Sequence, residues 1–326
     1  MIRRLLSLLA PVALSTAAVA ASPPTPVQTY VQAPGPLGPL KGTMLSPASG
    51  RLAMLIVPGS GPTDRDGNNP LGVRGGTYRL LAQGLAERGI GSVRIDKRGM
   101  FASSAAVADA NAVTIDDYVA DVGAWIGVIR KETGVSCVWL LGHSEGGLVV
   151  LAAAQKLPDI CGLVLVSTAG RPLGEVLRTQ LRANPANAPI LAQAMAAIGS
   201  LEAGKRVDVA GMHPALMPLF APQVQGFLIN ALSYDPAKLI AAVAKPVLIV
   251  QGRRDMQVGV ADAQRFKETA PKAELALLPD VNHVLKTVAS DDPRANAATY
   301  ADPSLPLAPG VAEAIATFVA AAPSGR

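Results

Sequence analysis

Past the first fifty residues the chain alternates between two hydrophobic patterns. One is a short, continuous apolar run: "RLAMLIV", "GSVRI", "SCVWLLG", "CGLVLVSTA", "KPVLIVQG" and "AELALLPDVNH". Runs of this length with no polar face predict strands buried on both sides. The other has helical spacing. "TYRLLAQGLAERGI" places Tyr78, Leu81 and Leu85 on one face and stops at Gly89. "TIDDYVADVGAWIGVIRKETG" carries Thr114 as a cap, Asp116 and Asp117 in its first turn, and Arg130 and Lys131 in its last. Those charges suit the two ends of a helix dipole. "GGLVVLAAAQKLP", "ADAQRFKETAP" and "PGVAEAIATFVAAA" complete the helical set. Strands separated by helices predict a doubly wound, mostly parallel α/β sheet covered on both faces.

Two regions depart from this rhythm. "SPPTPVQTYVQAPGPLGPL" is rich in Pro and Gly and reads as an entry segment with one or two short edge strands. From Arg171 to about Ala244 only helical patches occur, including "LGEVLRTQLRA" and "QVQGFLINALS", which predicts a helical cap inserted between two sheet strands. Its Met195, Met212, Leu216, Met217, Leu219, Phe220 and Phe227 read most simply as the cap's own core. The alternative is the lining of an acyl pocket.

The first residues, "MIRRLLSLLAPVALSTAAVAAS", combine two arginines, a short apolar stretch and a small-residue exit. This is the layout of a secretory signal over residues 1–21, with the globular domain spanning 22–326. Pro11 and the serines break the apolar run, so no stable membrane span is expected after cleavage. The net charge of +5 includes Arg3 and Arg4, and no Lys/Arg-rich run occurs. Nucleic acid is therefore not an expected partner. In an oxidising compartment the only two cysteines, Cys137 and Cys161, can pair if their consecutive strands are parallel neighbours in register; otherwise they are buried thiols. Neither has a nearby His, so no metal site is expected.

Candidate chemistry gathers at strand ends, where doubly wound sheets place their functional groups. "LLGHSEGG" puts Ser144 between Gly142 and Gly146 on a predicted strand-to-helix turn. A nucleophile on a sharp turn needs small neighbours at both positions. A serine hydroxyl also needs an imidazole to take its proton. Of the three histidines, His143 adjoins Ser144 and should point elsewhere, and His213 lies in the cap without a carboxylate partner. His283 follows the last predicted strand and is the candidate base. Asp255, just past the preceding strand, is the candidate acid that orients it, with Asp280 as rival; Asp262 reads as a surface residue. An oxyanion formed during acyl transfer needs prepositioned N–H donors. The expected ones are the backbone N–H groups of Glu145 and of Ser60 in "VPGSGPTDRDGN". Asp64, Arg65, Asp66, Asp96 and Arg98 form either ion pairs bracing that loop or a solvated cluster, and Glu145 can join through Arg65 or Arg98.

Taken together, "GSGPTDRDGN", "DKRG", "GHSEGG", "QGRRD" and "NHVLK" resemble the α/β-hydrolase superfamily, in its serine-aminopeptidase-like, esterase-type branch. The resemblance runs from about Leu40 to Val319. It implies a sheet of about eight strands, a triad of Ser144, Asp255 and His283, and hydrolysis without a cofactor. One departure is Pro58-Gly59, where many relatives have His-Gly before the oxyanion residue. The expectation is an exported, periplasmic or secreted serine hydrolase, a carboxylesterase acting on small-molecule esters with short or medium acyl chains. Peptidase, thioesterase or acyltransferase chemistry with the same triad is the alternative, as is a binding protein of the same fold. Few cap charges are available to hold a peptide amine, which favours an uncharged ester.

Overall fold

Alternate residues of each apolar run face opposite sides of one sheet, which is why the runs show no polar face. The computed structural model describes residues 25–50 and 52–322; the expected signal segment, 1–21, lies outside them. Eight strands form the sheet: β1 (Val27–Ala33), β2 (Leu40–Ser46), β3 (Leu52–Val57), β4 (Ile90–Ile95), β5 (Val138–His143), β6 (Ile160–Val166), β7 (Val247–Gly252) and β8 (Glu274–Leu278). Their order is β1-β2-β4-β3-β5-β6-β7-β8. β2 pairs antiparallel with β1 and β4, and every other pairing is parallel.

The helices are α1 (Thr77–Ala86), α2 (Ile115–Thr133), α3 (Glu145–Ala154), α4 (Leu173–Ala183), α5 (Leu191–Glu202), α6 (Met217–Phe220), α7 (Gln225–Leu232), α8 (Pro236–Ala241), α9 (Val260–Thr269), α10 (Pro293–Ala301) and α11 (Val311–Ala321). On one face, Leu55, Leu140, Leu165 and Ile249 pack with Trp125 of α2, Val149 of α3 and Phe266 of α9. On the other, Ile56, Leu141, Val164 and Val250 meet Leu81 of α1 and Ile315 and Phe318 of α11. Both faces are thus covered, as the continuous runs require.

The predicted cap on α2 is present in full. Thr114 Oγ1 accepts from the Asp117 N–H, and Asp117 Oδ2 accepts from the Thr114 N–H at 2.9 Å. This reciprocal box satisfies two otherwise orphaned donors. At the other end, Gly134 takes φ 72°, a left-handed stop that glycine adopts without strain.

Between β6 and β7 the chain builds α4 to α8 as a helical layer with its own apolar cluster. Met212, Leu216 and Phe220 are buried there, with Met195, Met217 and Leu219 packed against them. These are the cap residues that the sequence left between core and pocket, and they are core; Phe227 packs instead against the main core. Pro214–Ala241 is long and apolar enough, at mean hydropathy 1.3, to cross a membrane by length and composition alone. Here it folds as short helical pieces of the cap. The entry segment forms β1, an edge strand as expected, and ends where the interior strand β2 begins. Cys137 precedes β5, Cys161 lies in β6, and their sulfurs are bonded, with Cα atoms 5.2 Å apart.

Candidate active site

The parallel register of β3 and β5 aligns Val57 with Gly142. Gly59 and Ser144, each two residues further on, therefore leave the sheet side by side. Ser144 sits at φ 54°, ψ −120°, a conformation costly for a residue with a Cβ. Close packing enforces it. A Cβ on Gly142 would lie 2.2 Å from the Gly146 carbonyl oxygen, and one on Gly146 would lie 2.3 Å from that of Val57. Only glycine lets α3 turn this tightly off the strand. The missing Cβ of Gly59 points at Ser144, where it would stand 3.2 Å from the serine Cβ.

β7 and β8 deliver the other two groups. Gly252 pairs with Leu278, and the loops beyond them carry Asp255 and His283. His283 Nδ1 donates to Asp255 Oδ2 at 2.8 Å. Asp255 Oδ1 accepts the backbone N–H groups of Gln257 and Val258 at 2.8 and 2.9 Å. Burial alone would raise this carboxyl's pKa, but His283 and the two amides outweigh it and hold Asp255 below the usual carboxylate range. Asp280 is more than half exposed and faces Arg254 at 3.8 Å, so it is not the partner of His283. The His283 loop is anchored by Asn282, whose buried amide donates to Asn296 and Thr299 of α10.

Ser144 and His283 line one cavity of about 130 Å³, together with Thr63, Asn69, Tyr78 and Tyr300. On the cap side, Ser144 also lines a cavity of about 210 Å³, walled by Leu148, Leu173, Val176, Leu177 and Tyr234. Ser60 and Glu145 border that second cavity too. Neither backbone N–H has a hydrogen-bond partner among the described residues. Two free donors and the serine hydroxyl therefore share one space.

The charges around this site separate into three braces. Arg65 donates to Asp96 from Nε at 3.0 Å, and its backbone N–H reaches the same carboxylate at 2.8 Å. Arg98 holds Asp121 and Asp117 of α2. Asp64 caps its own loop, accepting the N–H groups of Asp66 and Asn68, and Asp66 pairs with Arg94. Glu145 joins neither Arg65 nor Arg98, contrary to expectation. It faces Lys97 at 3.6 Å, because Lys97 extends from the end of β4 toward the start of α3. Asp262 also departs from its reading as a surface residue. It is 1 % exposed, because two bonds from Arg171 and one from the Gly170 N–H draw its carboxylate against the loop after β6.

Two residues beside Ser144 and His283, Tyr78 and Lys97, take parts that their places in the sequence do not announce. Tyr78 falls at a core position of α1, yet its hydroxyl accepts the Gly59 N–H at 3.0 Å and contacts His143 Nδ1 at 2.9 Å. His143 points away from Ser144, as expected, and its Nε2 meets the His283 carbonyl oxygen at 2.8 Å. Lys97, within "DKRG", donates to the Gly59 carbonyl at 2.7 Å. A single sequence carries no signal for these contacts, since they join residues on separate elements far apart along the chain. His213 lies in the cap, accepting the Ala215 N–H, and is no part of the site.

Sheet order, strained serine turn and paired acid and histidine are those of the α/β-hydrolase fold, and a family profile and a curated esterase support the esterase-type branch of that superfamily. A family profile described as serine aminopeptidase, S33, matches residues 71–208. Esterase EstD of Thermotoga maritima is 27% identical over 240 residues, 72% of this chain and 54% of that protein. The chain thus spans about half the length of the curated relative it matches. Among solved structures, a thermophilic esterase from Thermogutta terrifontis aligns with TM-score 0.55 at 18% identity, covering 90% of this chain and 98% of its own. The α/β hydrolase GrgF from Penicillium sp. sh18 aligns with TM-score 0.54 at 20% identity, covering 79% and 91%. At such identities the structural matches speak for the fold.

Proposed function

We propose that the protein is a serine hydrolase that cleaves uncharged carboxylic esters through an acyl-enzyme. Ser144 Oγ attacks the ester carbonyl, and His283 takes the serine proton and returns it to the leaving alcohol. Asp255 holds the imidazole in the required tautomer. The N–H groups of Ser60 and Glu145 receive the oxyanion. Water then attacks the acyl carbonyl by the same path in reverse. The observation that carries this reading is the pair of unpartnered N–H groups beside a strained serine, in a space bordering the cavity that also holds His283.

The substrate class follows from the walls. An aminopeptidase needs a free carboxylate to hold the substrate's ammonium group. The charged residues on the cap-side cavity are Glu145 and Arg171. Both are engaged, Glu145 with Lys97 and Arg171 with Asp262. The remaining wall is chiefly aliphatic and suits a short or medium acyl chain, while the smaller polar cavity suits the alcohol. An N-terminal signal-like segment and the Cys137–Cys161 bond support export.

A fluorophosphonate probe should label the wild type at Ser144 and leave Ser144→Ala unlabelled. Ester turnover should follow labelling, with p-nitrophenyl butyrate outpacing alanine p-nitroanilide by at least a hundredfold. Faster cleavage of the anilide would overturn the ester reading, and turnover undiminished in Ser144→Ala would overturn the mechanism.

A further inference from the structure

Gly59, Tyr78, His143 and the backbone of His283 form one unbroken chain of buried hydrogen bonds, and its polarity is determined by its ends. The Gly59 N–H can only donate, so Tyr78 Oη accepts it at 3.0 Å. The hydroxyl's single hydrogen is then directed at His143 Nδ1, 2.9 Å away. That nitrogen must be unprotonated, so the proton of the neutral imidazole sits on Nε2 and is donated to the His283 carbonyl at 2.8 Å. Tyr78 and His143 are 2 % and 6 % exposed, so these bonds are largely shielded from bulk solvent.

Lys97 holds the next peptide along. Its Nζ donates to the Gly59 carbonyl at 2.7 Å, much closer than its 3.6 Å approach to Glu145. In a planar trans peptide the carbonyl and the following N–H point in opposite directions. Fixing the Gly59 oxygen toward Lys97 therefore turns the Ser60 N–H away from it, and no hydrogen-bond partner meets that N–H among the described residues. Gly59 is thus held on both sides, its N–H by Tyr78 and its C=O by Lys97. Pro58, just before this glycine, has no side-chain donor or acceptor to offer.

We propose that Tyr78, His143 and Lys97 are positioning residues that set the Ser60 donor and tie it to the backbone of His283, so that oxyanion hole and base keep one fixed relation. None of the three touches the reacting atoms. Tyr78 aligns the loop, His143 transmits its position to His283, and Lys97 sets the orientation of the Gly59–Ser60 peptide. The proposal rests on the reading of Ser144 as the acylated nucleophile. It goes beyond that reading in stating what fixes the geometry.

The test compares wild type with Tyr78→Phe and Lys97→Met, using p-nitrophenyl butyrate and a trifluoromethyl ketone, which forms a tetrahedral adduct on an active serine. Active sites are titrated with a fluorophosphonate so that kcat refers to folded enzyme. Each variant should lose about 10- to 100-fold in kcat with KM within threefold, less than loss of a whole oxyanion donor. Ketone affinity should fall by the same factor as kcat/KM. A packing defect alone would lower the titratable fraction without changing kcat per site. Wild-type kcat per site in either folded variant, or a loss confined to KM, overturns the proposal. Nitrogen-15 NMR of the wild type gives a check independent of any variant. His143 should stay Nε2-protonated and neutral in the free enzyme and in the adduct, and a proton on His143 Nδ1 overturns the proposed chain. If the wild type neither labels nor binds the ketone, the hydrolase reading itself has failed.

Discussion

Replacing Asp255 by Asn tests the assignment of the acid sharply, because the surrounding backbone dictates how the new amide must sit. Asp255 Oδ1 accepts two backbone N–H groups, from Gln257 and Val258, at 2.8 and 2.9 Å. An amide NH₂ at that position would set donors against donors, so the Asn oxygen must take it. The NH₂ then occupies the place of Oδ2 and points at His283 Nδ1, now 2.8 Å from the carboxylate. It can only donate, so Nδ1 must give up its proton and the imidazole proton moves to Nε2. In that tautomer His283 cannot accept the proton of Ser144. The expected loss in kcat is about 10⁴-fold, or roughly 5 kcal/mol of transition-state stabilisation. KM for p-nitrophenyl butyrate should stay within threefold, since Asp255 does not line either cavity. Asp280→Asn is the matched control. That carboxylate is more than half exposed and 3.8 Å from Arg254, so less than twofold in kcat is expected. If Asp255→Asn keeps a tenth of wild-type kcat, or Asp280→Asn suffers the larger loss, the assignment of the orienting acid is wrong.

Three further outcomes follow from packing, covalent linkage and charge. Gly147→Ala would place a Cβ 2.1 Å from Thr168 Oγ1, so urea denaturation should show a loss of about 1–3 kcal/mol. Exposed Gly127 of α2 has nothing within 4 Å of such an atom, and Gly127→Ala should gain about 1 kcal/mol; equal effects at both sites would refute the packing explanation. The Cys137–Cys161 bond spans 24 residues, for which loop-closure entropy gives about 3 kcal/mol, so the double Ala variant should show a loss of that order. Free thiols in the purified wild type would contradict that linkage. Burial holds the His143 pKa down to about 3, far below its ordinary value of 6.5, so between these pH values the unfolded chain binds a proton that the folded one does not. Stability present above pH 6.5 should therefore fall by about 1.4 kcal/mol per pH unit as the medium is acidified toward pH 3. His143→Gln should flatten that slope, and an unchanged slope would place the acid sensitivity elsewhere.

How far the sequence reaches depends on whether a feature is local. Buried parallel strands need apolar residues on both faces, so β3 to β7 are legible as continuous runs. Gly142 and Gly146 are legible because the turn around Ser144 leaves no room for a Cβ at either place. Asp255 and His283 could be chosen because each follows a recognisable strand, and the structure brings them within 2.8 Å of each other. By contrast, α10 (Pro293–Ala301) buries only Asn296 and Thr299 among its residues, and so carries no apolar face to read. Glu145 was paired with Arg65 or Arg98 because all three are charged and near strand ends. Which of Asp96, Lys97 and Arg98 faces it depends on how the chain turns as it leaves β4, and hydrophobic pattern does not encode that. Tyr78 falls on the buried stripe of α1, and its hydroxyl partner lies 65 residues away.

That turn after β4 explains why so many charges sit in so little sequence. Asp96, Lys97 and Arg98 are consecutive and all are under 10 % exposed, yet each reaches a different element. Asp96 holds Arg65 and with it the loop beyond β3, Lys97 holds Gly59 and approaches Glu145, and Arg98 holds α2 through Asp117 and Asp121. Stability alone does not account for this, since burying an ion pair costs several kcal/mol per charge in desolvation, and an apolar replacement is often as stable. What the three charges supply is direction. A guanidinium gripping both oxygens of a carboxylate, as Arg98 does, permits one relative orientation, and Arg65 is held likewise by two guanidinium bonds to one Asp96 oxygen and its backbone N–H to the other, whereas an apolar contact permits many. Lys97 differs from both in having a neutral carbonyl as its closest contact, so its ion pair with Glu145 is secondary to its hold on the backbone. The three charges therefore converge around Gly59, which stands beside Ser144 and whose peptide sets the direction of the proposed Ser60 donor.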